Sequence, residues 1–516
     1  MDAHLLSIIT FLPALAAVIL AVFLKGDDAP AQRNARWLAM FTSLATLLAS
    51  LFVYFEFDPA DTGMQFVVES AWPLGLTYRM GVDGISVLLV LLTTALMPVI
   101  VGASWGIGQR VKEFMIALLS LQTLILGAFM SLDLVFFFLF MEASILPLAI
   151  MVSLWGGGAP LRTALRLFTV SLFGTVPTLI GILLIFAETG STCLSGCLGG
   201  ELELLSHTLP SAPLDVAGFT IPGGMQTLLL LAFGLSFALK LPLWPLHRAS
   251  LSAQTQAPAA LAMVMAALVT KLGAYGLFRI ALPLFPAGVE VLADALLWLT
   301  VLGIVASALA ACAQDDMKAV IGYACVAQMG FVVLGILSGT QQGVEGALLL
   351  MLSHAVVAAA LFLCAGALHR RMQTSAISAY GGVRKRMPAF AGVFLLFLLA
   401  GIGLPGTAGF AGHVLIFMGV LEANSLVALV ALIALALSVA YALSLYRRVV
   451  MGDLIKESLK SISDLSAREL WLCVPLIIVV VVLGVAPGLV LDMISATVAA
   501  LTDGFAAATG AQAAAE

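Results

Sequence analysis

Charge is what this chain has least of. Only 10% of its 516 residues are Asp, Glu, Lys or Arg, against about 25% in an ordinary soluble domain. That scarcity excludes a water-soluble enzyme, and nucleic acid is not expected as a partner. Cysteine is sparse as well: Cys193, Cys197, Cys312, Cys325, Cys364 and Cys473 are scattered and form no metal-ligand set. Only Cys193 and Cys197 lie close together, in a hydrophilic loop expected to face an oxidising compartment. Either a disulfide or two free small residues fits that spacing. No phosphate loop, no GxGxxG following a strand and no CxxC set is present, and the six histidines are not placed as paired haem ligands. The chain is expected to hold no metal and no cofactor, so any redox chemistry belongs to another subunit. Alternation of polar and apolar residues over ten-residue segments is missing too, which argues against a transmembrane barrel. The N-terminus opens on Asp2, not a basic stretch, and residues 5–24 are long enough to span a bilayer, so they read as a first crossing and not as a cleaved signal.

What is present is apolar length. Hydrophobic residues make up 62% of the chain and the mean hydropathy is +1.14. Runs of about twenty apolar residues match a hydrocarbon core of roughly 30 Å. They recur near 5–24, 36–55, 82–104, 113–131, 133–153, 165–187, 225–246, 257–280, 287–311, 317–338, 343–367, 388–421, 424–446 and 469–495. The expected fold class is therefore an all-α membrane protein of about fourteen transmembrane helices. Most Lys and Arg residues, Lys25, Arg110, Arg162, Lys318, Arg370 and Arg447 among them, fall in loops after odd-numbered helices. The other loops hold only Arg79 and Arg279. The excess of basic loops on one side predicts that side to be cytoplasmic and both termini to be periplasmic, in a bacterial inner membrane. The longest outer loop, about 188–222, has no Lys or Arg and reads as an ordered or short-hairpin connection.

Three charges interrupt the apolar spans: Glu142 in helix 5, Lys240 in helix 7 and Lys271 in helix 8. His354 in helix 11 and His413 in helix 12 join them. A charge at the centre of a spanning helix costs about 2.5–3.5 kcal/mol on insertion scales, so it is kept where it is used or paired. A static Glu142–Lys240 clasp, a snorkelling Lys271 and a merely structural His354 are the plain readings. The functional reading is a proton relay. A buried carboxylate and ammonium stabilise each other's charged forms, and separating them favours release of the proton from Lys. Histidine titrates near neutral pH and suits the same work.

Two spans are also broken. Lys240 is followed by Leu241-Pro242 and then Pro245, and helix 12 contains Leu404-Pro405-Gly406. Proline in a helix interior removes a donor and breaks the ladder. In a membrane such irregular backbone belongs inside protein or beside water. Helix 7 is the fourth helix of a unit 4–8, and helix 12 is the fourth of a unit 9–13. Two five-helix units enter the membrane from opposite sides, as inverted repeats do. The expected organisation is helices 1–3 over 1–110, a first repeat over 111–280, a second inverted repeat over 281–450, and over 451–516 a cytoplasmic connection, helix 14 and a tail. Two half-channels joined through Lys271 and His354 would follow.

The segments YRMGVDGIS (78–86), EASILP (142–147), LKLPLWPLH (239–247), TKLGAYG (270–276), QDDMKAVIGYACVAQMGFVVLG (314–335), QQGVEGALLLMLSH (341–354), ISAYGGVRKRMP (377–388), GLPGTAGFAGH (403–413) and LYRRVVMGD (445–453) resemble the antiporter-like membrane subunits of respiratory NADH:quinone oxidoreductase, complex I, in the NuoM (mitochondrial subunit 4) branch. The resemblance runs over nearly the whole chain. It implies a proton-translocating unit of the membrane arm in which Glu142 pairs with Lys240, Lys271 is the central relay site, and His354 and His247 belong to the same relay. It implies that NADH, FMN, iron–sulfur clusters and quinone are bound by partner subunits, and that the neighbours are other membrane-arm subunits, antiporter-like ones especially, and lipid. The sequence departs from the family pattern at Ser252, Gln254 and Gln256, where Asp, His and Glu are usual. It departs again at Gln328, usually His, and at His413, usually Glu. Two rivals stand beside this reading: a subunit of a multisubunit Na⁺/H⁺ antiporter or membrane-bound hydrogenase, and a non-pumping structural subunit.

Overall fold

A computed structural model describes residues 4–26, 28–71, 77–189, 192–194, 214–216, 219–221, 224–454 and 456–513. Among the described residues, twelve helices are long and apolar enough to cross a membrane. They are α1 (Leu5–Phe23), α2 (Ala29–Glu56), α3 (Gly84–Ala103), α4 (Val111–Met130), α5 (Leu134–Trp155), α6 (Pro160–Thr189), α8 (Ala259–Leu284), α9 (Pro286–Cys312), α10 (Met317–Leu337), α11 (Gln341–Met372), α13 (Ser425–Val450) and α14 (Ala467–Val485). Two more spans are broken into shorter arms, as the prolines predict. Helix α7 has arms Gly224–Lys240 and Arg248–Gln256, and α12 has arms Pro388–Gly401 and Ala408–Ala423. At the α12 break Gly403 and Gly406 adopt φ of +78° and +83°, a left-handed backbone that glycine takes without a side-chain clash.

Helix starts are set locally. Asp83 and Ser86 form a reciprocal capping box on α3. Asp133 Oδ1 accepts from the Val135 and Phe136 amides at the start of α5, and Thr340 Oγ1 accepts from the Gly343 amide at the start of α11. Each satisfies amides that have no partner within the first turn.

The polar cross-links between loops sort into two sets. At one end of the bundle the Leu132 amide donates to the Arg79 carbonyl, Thr192 Oγ1 donates to Asp133 Oδ2 at 2.6 Å, and Arg279 pairs with Asp83 at 3.1 Å. All of these lie in even-numbered loops or beside them. At the other end Arg36 reaches the Ile107 carbonyl, Trp155 Nε1 reaches the Gln109 carbonyl, and the Gly157 amide reaches the Gln256 carbonyl. Those join odd-numbered loops. Helices that alternate in direction produce this sorting.

The core sits around α8 and α11, whose apolar stretches are wholly buried, whereas α1, α2, α6 and α14 turn most of theirs outward. Helix α11 packs on α8, α10, α14 and the second arm of α12. The last contact is backbone on backbone: a Cβ added at Gly346 would come within 2.7 Å of the Ile416 amide nitrogen. In lipid, where apolar contact alone brings helices together weakly, such small-residue approaches supply much of the association.

One hairpin was not expected from the sequence, and a second fits the short-hairpin reading of the long outer loop. A β-hairpin, β1 (Gln65–Ala71) with β2 (Thr77–Val82), precedes α3, and a short one, β3 (Leu214–Val216) with β4 (Phe219–Ile221), lies in the long loop before α7. Most of that loop, Cys197 included, is outside the described residues. Cys193 is disulfide-bonded. The expected fourteenth span over 469–495 also ends early. It stops at Val485, because Pro487 disfavours helical backbone at Ala486, which sits at φ −128°. A separate helix, α15 (Gly488–Ala513), starts there and packs on α3, α9 and α11 at the even-loop end. The segment read as a tail is thus largely helical.

Glu469 ties α14 to α11. Its Oε1 accepts from Arg370 and Arg371 at 2.6 and 2.9 Å, and its Oε2 from Arg371 and the Ser466 amide, both at 2.7 Å. Glu469→Gln leaves two guanidinium groups facing a neutral amide. It is expected to destabilise the helix pair by about 3 kcal/mol, the low end for breaking a buried pair because Arg370 is 30% exposed. Thermal inactivation of the detergent-purified protein measures this; an unchanged midpoint would show that the network adds nothing.

Candidate functional site

Lys240 ends the first arm of α7. The C-terminal pole of a helix favours a cation, and the proline-interrupted turn that follows leaves its carbonyls without continuing helix. Glu142 sits two residues before a similar discontinuity in α5: the helix kinks at Ser144, and Pro147 has no amide to give the Ala143 carbonyl. Lys240 Nζ and Glu142 Oε1 are 3.2 Å apart, with side chains 2% and 14% exposed. Neither atom completes an aligned hydrogen bond. Glu142 Oε2 instead accepts from Thr175 Oγ1 of α6 at 3.1 Å. The pair is therefore in ionic contact without being locked by directional bonds.

Lys271 is fully buried, which removes the snorkelling alternative. Its Nζ reaches three acceptors, the Ala266 carbonyl at 3.1 Å, Thr270 Oγ1 at 3.1 Å and His354 Nδ1 of α11 at 2.7 Å. Three acceptors for three N–H bonds satisfy an ammonium completely. Helix α8 is widened into π turns at Met265–Val269 and Leu277–Ala281, on either side of this lysine. Such turns recur at functional positions. Gly273 lets α8 touch the α7 break: a Cβ there would lie 2.6 Å from the Phe237 carbonyl oxygen and 2.8 Å from the Leu241 amide. The two lysine-bearing segments are thus in backbone contact.

With Nδ1 accepting from Lys271, His354 Nε2 carries the ring proton; it is buried without a partner. His354, Cys325, Gln328 and Tyr441 line a cavity of about 30 Å³, room for a water molecule. Beyond it stands His413. Its ring fills the space opened by Gly403 at the α12 break, with Nδ1 2.7 Å from the Gly409 carbonyl oxygen and Nε2 3.0 Å from Gln328 Oε1.

His247 is not joined to this series. It caps the second arm of α7, is buried, and meets the Tyr323 ring at 5.6 Å. Among the described residues its side chain makes no hydrogen bond with the other five. The departures at the end of α7 also have plain local work. Gln256 Oε1 accepts from the Ala159 amide and from Thr163 Oγ1, holding the start of α6. Gln254 reaches Ser250 Oγ, and Ser252 bonds back to the Ala249 carbonyl.

Residues 131–438 match the family described as the transmembrane part of NADH:quinone oxidoreductase and Mrp antiporter subunits. The chain belongs to this family. In the NADH:quinone oxidoreductase/Mrp antiporter family it is similar to NADH-quinone oxidoreductase subunit M of Rhodobacter capsulatus, 46% identical over 508 residues, covering 98% of each chain. It is 36% identical over 500 residues to NADH-ubiquinone oxidoreductase chain 4 of Marchantia polymorpha, covering 96% of each. Among solved structures it is similar to a chain of respiratory complex I from Thermus thermophilus with bound NADH, with a TM-score of 0.84 and 27% identity over 98% of this chain and 100% of that one. A chain of the Mrp complex from a Dietzia species shares the fold, with a TM-score of 0.80 at 18% identity, covering 98% of this chain and 99% of that chain.

Three residues of this candidate site escaped the sequence reading. Thr175 belongs to a buried polar stripe with Ser171 and Thr178 on a helix whose Phe173, Ile180 and Leu183 face outward; that spacing was a usable signal. Thr270 and Tyr441 carried none, because a single hydroxyl in an apolar helix is ordinary.

Proposed function

We propose that this chain is a proton-translocating membrane-arm subunit of NADH:quinone oxidoreductase, driven by electron transfer in other subunits. What carries the reading is three buried couples on the interior helices: Glu142 with Lys240, Lys271 with His354, and Gln328 with His413. In this reading a proton is held at Lys240 while Glu142 is close. Separation of the two lets it refill Lys271 as the proton Lys271 holds moves on to His354 and through water in the small cavity to His413. The interrupted backbones of α7 and α12, at corresponding places in helices 4–8 and 9–13, open the two halves to opposite sides. A larger cavity of about 610 Å³ at the odd-loop end, bordered by Gln256, Lys318 and His369, is where water reaches the first half. That end is cytoplasmic in a bacterial inner membrane, and both termini are periplasmic. FMN, iron–sulfur clusters, NADH and quinone bind partner subunits, and neighbouring antiporter-like subunits flank this one in lipid.

Purification of the full-length chain by an affinity tag, from its native membranes in mild detergent, tests the assignment. NADH:quinone oxidoreductase activity is expected to copurify with it. Copurification with a set of small antiporter chains, and without NADH oxidation, would establish the cation-antiporter alternative instead.

A further inference from the structure

His413 is surrounded by more acceptors than a neutral imidazole can satisfy. Nδ1 lies 2.7 Å from the Gly409 carbonyl oxygen, which can only accept, so Nδ1 carries a hydrogen. A neutral ring would then present a bare lone pair at Nε2. Yet the atom facing Nε2 is Gln328 Oε1, an acceptor, at 3.0 Å. Turning the amide over would not help. Gln328 Nε2 donates to the Gly401 carbonyl at 2.8 Å, and the exchange would set two oxygens against each other there. Gly401 ends the first arm of α12, so this carbonyl is one that the helix break leaves free.

We infer that Gln328 is a positioning residue that turns His413 into a cationic proton store: the Gly401 carbonyl orients the Gln328 amide, and its oxygen supplies the second acceptor that a doubly protonated imidazole requires. The inference rests on the proton-relay reading given above and adds the form in which the proton is held. The groups around the ring fit a cation bound by dipoles. The small cavity beside Gln328 adds Cys325 from α10, His354 from α11 and Tyr441 from α13. The buried carboxylates Asp83, Asp133 and Glu469 stand at helix starts elsewhere. Phe331 closes the remaining side, edge to face at 5.2 Å. A proton arriving from His354 therefore completes a hydrogen-bond set that is otherwise one hydrogen short.

The test compares NADH-driven proton pumping against pH in inverted vesicles carrying the assembled complex with Gln328→Glu, Gln328→Met or His413→Ala. Gln328→Glu sets a carboxylate against the imidazolium, and its pumping profile is expected to move up by about one to three pH units. Gln328→Met fills the same space without an acceptor, and its profile is expected to move down by about one pH unit, the worth of a hydrogen bond to a charged group. Opposite shifts in assembled complexes support the inference. Equal losses with unmoved profiles show a packing role and overturn it, while His413→Ala without pumping keeps the relay reading intact. Unchanged pumping in His413→Ala overturns both.

Discussion

Lys271→Met is expected to abolish coupled proton pumping, by about 100-fold or more, the scale of losing an obligatory proton-transfer group, while the complex still assembles. The two parts of that expectation come from one geometry. Lys271 is wholly enclosed, so an apolar side chain of similar length replaces it without opening a cavity or stranding a charge. Its three acceptors fare differently. Thr270 Oγ1 keeps its own bond to the Ala266 carbonyl at 2.8 Å, and only His354 Nδ1 loses its donor. Lys271→Arg is the informative companion. A guanidinium preserves the charge but does not give up its proton in a protein. If charge alone mattered, Lys271→Arg would pump; if proton release is the function, it fails as completely as Lys271→Met. Vesicle acidification per NADH oxidised, with assembly checked on native gels, reads this directly. Wild-type pumping in Lys271→Arg would reduce Lys271 to a fixed charge.

The parts of this site that could be read in the sequence are those that lipid penalises. Glu142, Lys240 and Lys271 stand out because an ionised group in hydrocarbon is kept only for use or pairing. The structure adds which groups meet: Glu142 touches Lys240, and Lys271 touches His354. His247 entered only through the family resemblance, and it stands apart against Tyr323. Its place beside two prolines is one that sequence spacing cannot convert into a distance. The π turns of α8 were illegible for another reason. MAALV and LFRIA have no proline to announce a defect, and the widening depends on neighbours packed against the helix.

Fold was legible where hydropathy dominates and hidden where it does not. Among the described residues, the twelve long spans and the two broken ones follow from apolar length and from Pro242, Pro245 and Pro405. The β1–β2 hairpin was missed because QFVVESA is seven residues long, too short to register in a search for twenty-residue runs, although its paired valines suit a strand. The α14–α15 boundary was lost by the reverse error. Ala486-Pro487 lies inside a continuous apolar stretch, and the hydropathy of the whole outweighed a local signal that the backbone obeys. The Gln254 and Gln256 departures read as lost proton carriers. Gln256 instead holds α6 through its carbonyl oxygen, so its neutrality says little about whether protons move.

Glu142→Gln decides between a working pair and a clasp, because it changes charge and almost nothing else. The amide oxygen can still accept from Thr175 Oγ1, and the side chain keeps its volume. The ammonium of Lys240, 3.2 Å away and 2% exposed, loses the one close opposite charge it has among the described residues. Without such a neighbour the ammonium is left buried and uncompensated, and the C-terminal pole of the α7 arm makes good only part of the loss. Pumping per NADH oxidised is therefore expected to fall roughly tenfold or more. Thr175→Val removes one hydrogen bond and leaves the charges, so its effect should be only severalfold, corresponding to about 1 kcal/mol. The order of the two variants carries the argument. A clasp would be weakened by either change and would show itself as lost assembly. A proton site responds to Glu142→Gln far more strongly, in complexes that assemble normally. Unchanged pumping in assembled Glu142→Gln complexes would leave Glu142 a helix fastener and make the non-pumping structural reading the better one.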